Sequence, residues 1–348
     1  HIHSRLGSLP LSRILEPAIQ TAKSGAIINN AHEYLFKILD PILSYTKTGE
    51  ILFKPNGKTI KAGERFKNPD FANYLEQIIV EGSNFLYNGD LTDKIDDYMK
   101  DGGLLTREDL SNYEVIERTP LKTDFNGKTI ITNPMPSPGG TLIAFALKII
   151  SKKFPGEKID NRLLTLGMRL AQIARSEIIS TKNRTNSLAE ILSPSYFKRY
   201  LDLFDYEISL KPNKEKPGSG STTHMSIIDS QGNAASVTTT NGEGCGYIIP
   251  GTGIMMNNIL GEEDLNPDGF HNWETTKRMS TMMSPTIVIG DSGPELVLGS
   301  GGSNRIRSAI KQVIVNKFTK NMNLEEAIQA PRIHLEENII HCESGINT

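Results

Sequence analysis

Gly218-Ser219-Gly220-Ser221-Thr222-Thr223-His224-Met225-Ser226-Ile227-Ile228-Asp229 is the stretch where the character of the chain changes. Before it, Lys211 to Ser221 is polar, rich in Lys, Pro, Gly and Ser, and without periodicity, which predicts an exposed, flexible loop. After it, His224 to Asp229 and Ala234 to Thr240 are short β-type runs joined by Ser230-Gln231-Gly232-Asn233, a hairpin turn signal. The chain upstream is mostly helical in pattern, and the chain downstream pairs strands with helices around them. That order predicts a mixed α/β layered architecture.

Working outward, Leu11, Leu15, Ile19 and Ala22 recur at helical spacing, with Pro17 expected in the first turns. A second helix fits Asp70 to Glu81, and Thr106 to Tyr113 opens with a Thr-x-x-Asp capping pattern after Gly102-Gly103. Phe125-Asn126-Gly127 predicts an Asn-Gly hairpin between 119–124 and 128–132. Pro134 to Gly140 leads into a helix over 141–153, and Leu163, Gly167, Leu170, Ala174 and Ile178 mark another. Short β-type runs follow at 254–256, 286–289 and 295–298, the last running into Gly299-Ser300-Gly301-Gly302-Ser303 and a helix carrying Ile306, Ile310, Val313 and Ile314.

The bulk numbers exclude several classes. With 348 residues, 22% charged and 37% apolar, the chain is ordinary for a globular protein of about two domains' length. A net charge of -2 leaves no electrostatic footprint for nucleic acid or an anionic membrane. The longest apolar stretch, 142–150, is too short for a bilayer and carries Lys148. Two cysteines, Cys245 and Cys342, make no disulfide framework, and no Cys/His spacing predicts a zinc site. No repeat or low-complexity tract stands out. The chain opens at His1 without a signal region, which reads as a fragment or a trimmed sequence.

Chemistry concentrates at the junction of loop and strand. A threonine hydroxyl is a poor nucleophile without a base in reach. A chain-terminal Thr carries its own base, since its α-amine titrates near neutrality. Cutting the backbone before Thr222 would make such a residue; on composition alone, Thr222-Thr223 is an ordinary β-branched strand start. Backbone N–H groups of Gly299 to Ser303 have the placement to face a developing oxyanion at a helix N-terminus. The same run reads equally as a tight turn. A nucleotide site lacks support, with no Gly-Lys-Ser/Thr and with Asn304 where a dinucleotide fingerprint has its third glycine. Asn257-Asn258 and the acids Glu262-Glu263-Asp264 offer a grip for a substrate ammonium or a solvated loop face. Strand alternation sets His224 on the same face as Thr222, as a packed histidine or a second base.

These pieces, taken together and in order, resemble the γ-glutamyltranspeptidase (glutathione hydrolase) family of the N-terminal-nucleophile hydrolase superfamily. Thr222 to Asp229 with Gly232-Asn233 is similar to the start of that family's small subunit, T-T-H-x-S-x-x-D-x-x-G-N. Gly253 to Asn258, Met283-Ser284-Pro285-Thr286, Gly299 to Ile306 and Ala330-Pro331-Arg332-Ile333 follow in place. Upstream, Leu9-Pro10-Leu11, Glu16 to Ile19, Gly102 to Leu110 and Glu117-Arg118-Thr119-Pro120 match the large-subunit region.

The resemblance implies an α+β fold, a four-layer αββα sandwich with a helical large-subunit portion. It implies autocatalytic cleavage between Ser221 and Thr222, dividing 1–221 from 222–348, with the two chains held as a heterodimer. Family members extend further at both ends, and their carboxylate-binding arginine lies in the N-terminal extension. Carried over by position, Thr222 is the nucleophile, Thr240 its hydrogen-bonded assistant, and Gly302 and Ser303 the two oxyanion donors. Asn241 and Asp264 match positions that hold the γ-glutamyl amino end. Thr281 and Met282 stand where the family has adjacent serines for the α-carboxylate, and a methionine thioether donates no hydrogen bond. The 241–246 loop is also shorter than in well-known bacterial members.

The implied activity is γ-glutamyl transfer or hydrolysis on glutathione-like amides, with water or an amino acid as acceptor and no metal or organic cofactor. The family is mostly exported to the periplasm or beyond. Rival readings are a glutaryl-cephalosporin-type acylase of the same fold, an uncleaved inactive homologue acting as a binding protein, and a nucleotide-binding domain using the Gly299 loop.

Overall fold

The computed structural model describes residues 1–180, 192–203, 211–214, 222–262, 265–266, 269–273, 275–336 and 338–346. The chain forms two compact units, one of 1–117 with 243–258 and one of 118–242 with 259–348.

In the first unit, Asn68 caps the helix Pro69–Glu81 by accepting from the Phe71 N–H, and that helix packs on Leu11–Ser24 through Ile19, Ala72 and Leu75. Pro17 falls in the interior of Leu11–Ser24 rather than in its first turns. It lies on the exposed face of the helix, where the missing backbone N–H is not buried. The helix Arg107–Ser111 carries the full capping box between Thr106 and Asp109. The segment 243–258 is tied in by Thr46 Oγ1 donating to Gly246 O and Asn68 Nδ2 donating to Gly253 O, with Ile249 against Leu91 and Ile95. Asn258 clamps Glu243, accepting from its N–H at 2.9 Å and donating to its carboxylate at 3.2 Å.

The second unit holds the larger core. Its elements in chain order are β1 (Leu121–Phe125), β2 (Lys128–Thr132), α1 (Pro138–Lys153), α2 (Asn161–Ser180), α3 (Pro194–Leu203), β3 (Lys211–Lys214), β4 (Thr223–Ile228), β5 (Ala234–Thr239), β6 (Thr286–Gly290), β7 (Gly293–Leu298), α4 (Arg305–Phe318), α5 (Leu324–Gln329), β8 (Ile333–Glu336) and β9 (Ile339–Cys342). Asn126 and Gly127 both take positive φ, 51° and 73°, as the tight β1–β2 turn requires.

An antiparallel sheet runs in the order β7-β6-β2-β1, with Val288 opposite Ile130 and Ile287 opposite Ile131. Period-2 alternation sends Ile130, Val288 and Phe125 into the core beneath α1 and α4. There they meet Leu142, Phe145, Ile149, Ile306, Ile310 and Ile314, each 2% exposed or less, and each such burial is worth about 1.5–3 kcal/mol. Ile131 and Ile287 point the other way, toward the β4–β5 hairpin. Helices, sheet and hairpin are three successive layers of the sandwich. The hairpin's outward side chains face solvent, Met225 at 49%, Ile227 at 58% and Val237 at 40% exposure.

One expectation is corrected. Lys211–Lys214, read from sequence as loop, is a strand lying parallel to β9, with Lys211 opposite Ile339. The rest of that expected loop, 215–221, lies outside the described residues.

Candidate active site

Pairing Thr223 with Thr239 places Thr222 and Thr240 side by side at the open end of the hairpin. Their hydroxyls meet at 3.3 Å, Thr222 donating, which is long for an O–H···O bond. The Thr240 oxygen also accepts from the Gly242 N–H at 3.0 Å, which fixes its rotamer. Asn241 follows directly and is exposed.

The same hairpin face carries His224, Ser236 and Thr238 toward the end of β7. Ser236 Oγ donates to Leu298 O at 3.1 Å. His224 is held by hydroxyls at both ring nitrogens, Thr238 at 2.8 Å from Nδ1 and Ser226 at 2.9 Å from Nε2. Burial pushes its pKa below the ordinary histidine value. Both nitrogens are therefore committed to the hairpin, and His224 serves as packing against the glycine loop. A Cβ added to Gly299 would fall 2.1 Å from its Nδ1.

The loop from β7 to α4 reaches Thr222 itself, because Gly301 has no side chain to keep it away. Gly302 and Ser303 then adopt positive φ, 104° and 51°. This conformation costs a non-glycine residue roughly 1–2 kcal/mol, so surrounding contacts must hold Ser303 there. The Gly302 N–H takes no hydrogen bond among the described residues.

What fixes the loop is Asn304, which stands where a dinucleotide fingerprint has its third glycine. Its Oδ1 accepts from Arg175 Nη1 at 3.1 Å and Arg307 Nη2 at 3.0 Å, and its Nδ2 donates to Glu336 at 3.4 Å. Arg175 on α2 and Glu336 on β8 are far from Asn304 in sequence, so no local pattern announces them. Beneath them, Ser308 and Glu336 flank the ring nitrogens of buried His334 at 2.8 Å each.

Thr281 and Met282 separate by orientation. The Met282 side chain is buried in the core, 3% exposed. Thr281 lines a pocket of about 500 Å³ beside Ser236, Ile131 and Ile287, and its Oγ1 accepts from Met283 N–H. Gly139 at the start of α1 packs directly on Met282 and Ser284, which fixes this segment. The structure thus gathers Thr222, Thr240 and the 299–303 loop, and sets Thr281 in the wall of a pocket that none of these residues lines. Asp264, Glu263 and Ser221 lie outside the described residues. Glu262 contributes its backbone carbonyl to Asn266 Nδ2 at 2.7 Å. Among the described residues no group of His, Cys, Asp and Glu forms a metal cluster, and no helix is long and apolar enough to cross a membrane.

The fold is that of the N-terminal-nucleophile hydrolases, an α+β class. A cephalosporin acylase from Bacillus halodurans matches it with a TM-score of 0.83, covering 99% of this chain and 66% of that one at 23% identity. The chain belongs to the γ-glutamyltranspeptidase family, which it matches over residues 1–348, and that family is one of enzymes. Its relatives include the glutathione hydrolase proenzyme of Escherichia coli K12, 31% identical over 95% of this chain and 61% of the relative. The acylase ACY 1 proenzyme of Pseudomonas sp. SE83 is 30% identical over 99% of this chain and 63% of the relative. The chain thus spans less than two thirds of the curated relatives it matches.

Proposed function

We propose that this chain is the catalytic portion of a self-processing γ-glutamyl hydrolase or transferase whose nucleophile is Thr222. The contact of the Thr222 hydroxyl with Thr240, under a glycine loop with the unbonded Gly302 N–H, is the observation that carries the reading.

Maturation begins with Thr222 Oγ attacking the Ser221 carbonyl carbon. The C–N bond breaks, the acyl group passes to oxygen, and the amine is released. Water then hydrolyses the ester, leaving a Ser221 carboxylate and a Thr222 with free hydroxyl and α-amine. That amine accepts the hydroxyl proton as Oγ attacks a γ-glutamyl amide, and returns it to the departing nitrogen. Gly302 and Ser303 N–H groups receive the oxyanion; one such donor is typically worth about 2.7–4 kcal/mol of barrier. Asn241 and Asp264 hold the substrate amino end, and Thr281 its carboxylate. Water or an amino acid resolves the ester. The two products of cleavage stay associated as a heterodimer, and the protein works in the periplasm or outside the cell.

A glutaryl-type acylase is the second reading, favoured by the acylases among its relatives in sequence and fold. Intact-mass analysis tests the nucleophile: a fragment beginning at Thr222 is expected from the wild type and none from Thr222→Ala. Paired γ-glutamyl and glutaryl anilides then separate the two activities, since only the first carries an α-ammonium.

A further inference from the structure

Asparagine at a helix N-cap ordinarily turns its side-chain oxygen onto the first free N–H groups of the helix. Asn304 stands at that position before α4 and makes no such cap. Its amide is drawn sideways instead, Oδ1 to Arg175 at 3.1 Å and Arg307 at 3.0 Å, Nδ2 to Glu336 at 3.4 Å. Charge decides that orientation. Turned over, the amide would set its N–H groups against two guanidiniums and its oxygen against a carboxylate.

Glu336 is itself held. Its other oxygen accepts from His334 Nε2 at 2.8 Å. With that nitrogen donating, Nδ1 of the neutral ring accepts from Ser308 Oγ, also at 2.8 Å. Burial works to raise the Glu336 pKa, but the His334 hydrogen bond and the Arg307 and Arg175 charges outweigh it and keep the group below the ordinary glutamate value. The carboxylate thus stays ionised near neutrality.

What this arrangement acts on is one residue away. Ser303 precedes Asn304 with φ of 51°, and Gly302 has 104°. Their carbonyls accept from the Ile306 and Arg305 N–H groups at 3.2 and 3.0 Å, which joins the loop to the first turn of α4. Released from Glu336, the Asn304 side chain is free to swing onto the helix N-terminus, and the loop to relax from its left-handed geometry.

We propose that Glu336 is a positioning residue for the 299–303 loop. Acting through Asn304, it keeps that side chain off the α4 N-terminus and the Gly302 and Ser303 N–H groups turned toward the reacting carbonyl. The consequence for turnover rests on the acyl-transfer reading above; the consequence for the loop does not.

Glu336→Gln keeps the shape and removes the charge. Its kcat is expected to fall at least tenfold with KM within twofold, on whichever of the γ-glutamyl and glutaryl anilides the wild type cleaves. The split follows because the loop N–H groups bind charge that develops only in the transition state. Amide exchange at Arg305 and Ile306, followed by NMR, should speed up at least tenfold while Val313 and Ile314 keep wild-type protection. Glu336→Asp restores the charge at shorter reach and should fall between; it carries the test if Glu336→Gln does not fold. Ser308→Ala removes the other His334 bond without touching Asn304, so it should lower the thermal midpoint and leave both kcat and the Arg305 and Ile306 exchange unchanged. Either readout at its wild-type value in Glu336→Gln, or equal losses in Ser308→Ala, overturns the proposal. Should the wild type form no Thr222 fragment and cleave neither anilide, the acyl-transfer reading falls and the exchange result alone decides the role of Glu336.

Discussion

A Cβ placed on Gly301 would lie 2.7 Å from the carbonyl oxygen of Thr222 and 3.1 Å from its Cβ. The loop and Thr222 are in backbone contact, with no flexible side chain between them to yield. Gly301→Ala should therefore displace Thr222 from Thr240 and slow formation of the Thr222 fragment at least tenfold. Timed intact-mass analysis reads this; processing at the wild-type rate would show that the contact is irrelevant.

At Gly299 the obstacle is a side chain instead. Gly299→Ala drives a methyl group into His224, breaking its bonds to Thr238 and Ser226. The loss should be relieved when His224 is also made alanine. A double-mutant cycle with coupling of about 0.5–3 kcal/mol in thermal stability is expected, and strict additivity would contradict it.

Asn304 holds the loop through two arginines. Asn304→Ala removes both acceptor contacts and should cost about 1.5–3 kcal/mol of stability, as for other hydrogen bonds to charged groups. Because the same residue follows Ser303, kcat/KM on a γ-glutamyl anilide should drop further than the stability loss alone explains. Chemical denaturation and steady-state kinetics on the same variant separate the two effects.

Lys311 is 3% exposed in α4, and burial, aided by the nearby Arg307 charge, lowers its pKa to about 7. The unfolded chain binds the proton up to its ordinary pKa near 10.5, so between about 7 and 10.5 folding releases it and stability rises with pH. The full cost, on the order of 5 kcal/mol as an upper bound, is present at and below pH 7. Lys311→Met should raise the melting temperature most near neutrality, with the gain shrinking toward pH 10. A gain independent of pH would mean that Lys311 is charged in the fold.

His224 and His334 both titrate below the ordinary histidine value, each chiefly through burial, with the Glu336 hydrogen bond opposing the shift at His334. Arg307 and Arg305 reinforce the lowering at His334. The unfolded state takes up these protons first, so stability is full above about pH 6.5 and declines as pH falls through the folded values. His224→Gln should flatten that decline in a melting-temperature series from pH 7.5 to 5. A slope identical to wild type would remove His224 from the account.

Much of this was legible because it is local. The Thr106–Asp109 box, the Asn126-Gly127 turn and the Thr222 hairpin are each specified by residues a few positions apart. What escaped depends on distant partners. Lys211–Lys214 becomes a strand only because Ile339–Cys342 lies alongside it, 128 positions away at each pair. Asn304 is tied to Arg175 and Glu336, and Thr281 acquires a pocket only when Arg118, Ile131 and Ser236 converge. Met282, a puzzle when set against a serine, is explained by its inward orientation into the core.

The solvent-facing Met225, Ile227 and Val237 have a consequence for how the protein fails. One side of the hairpin that follows Thr222 adds little apolar burial, so its anchorage falls mainly to polar links such as Ser236 to Leu298. Segments of that kind open with less free energy than the core does. On gentle warming this hairpin should detach while α1 and α4 remain packed, so activity disappears at a lower temperature than helical structure.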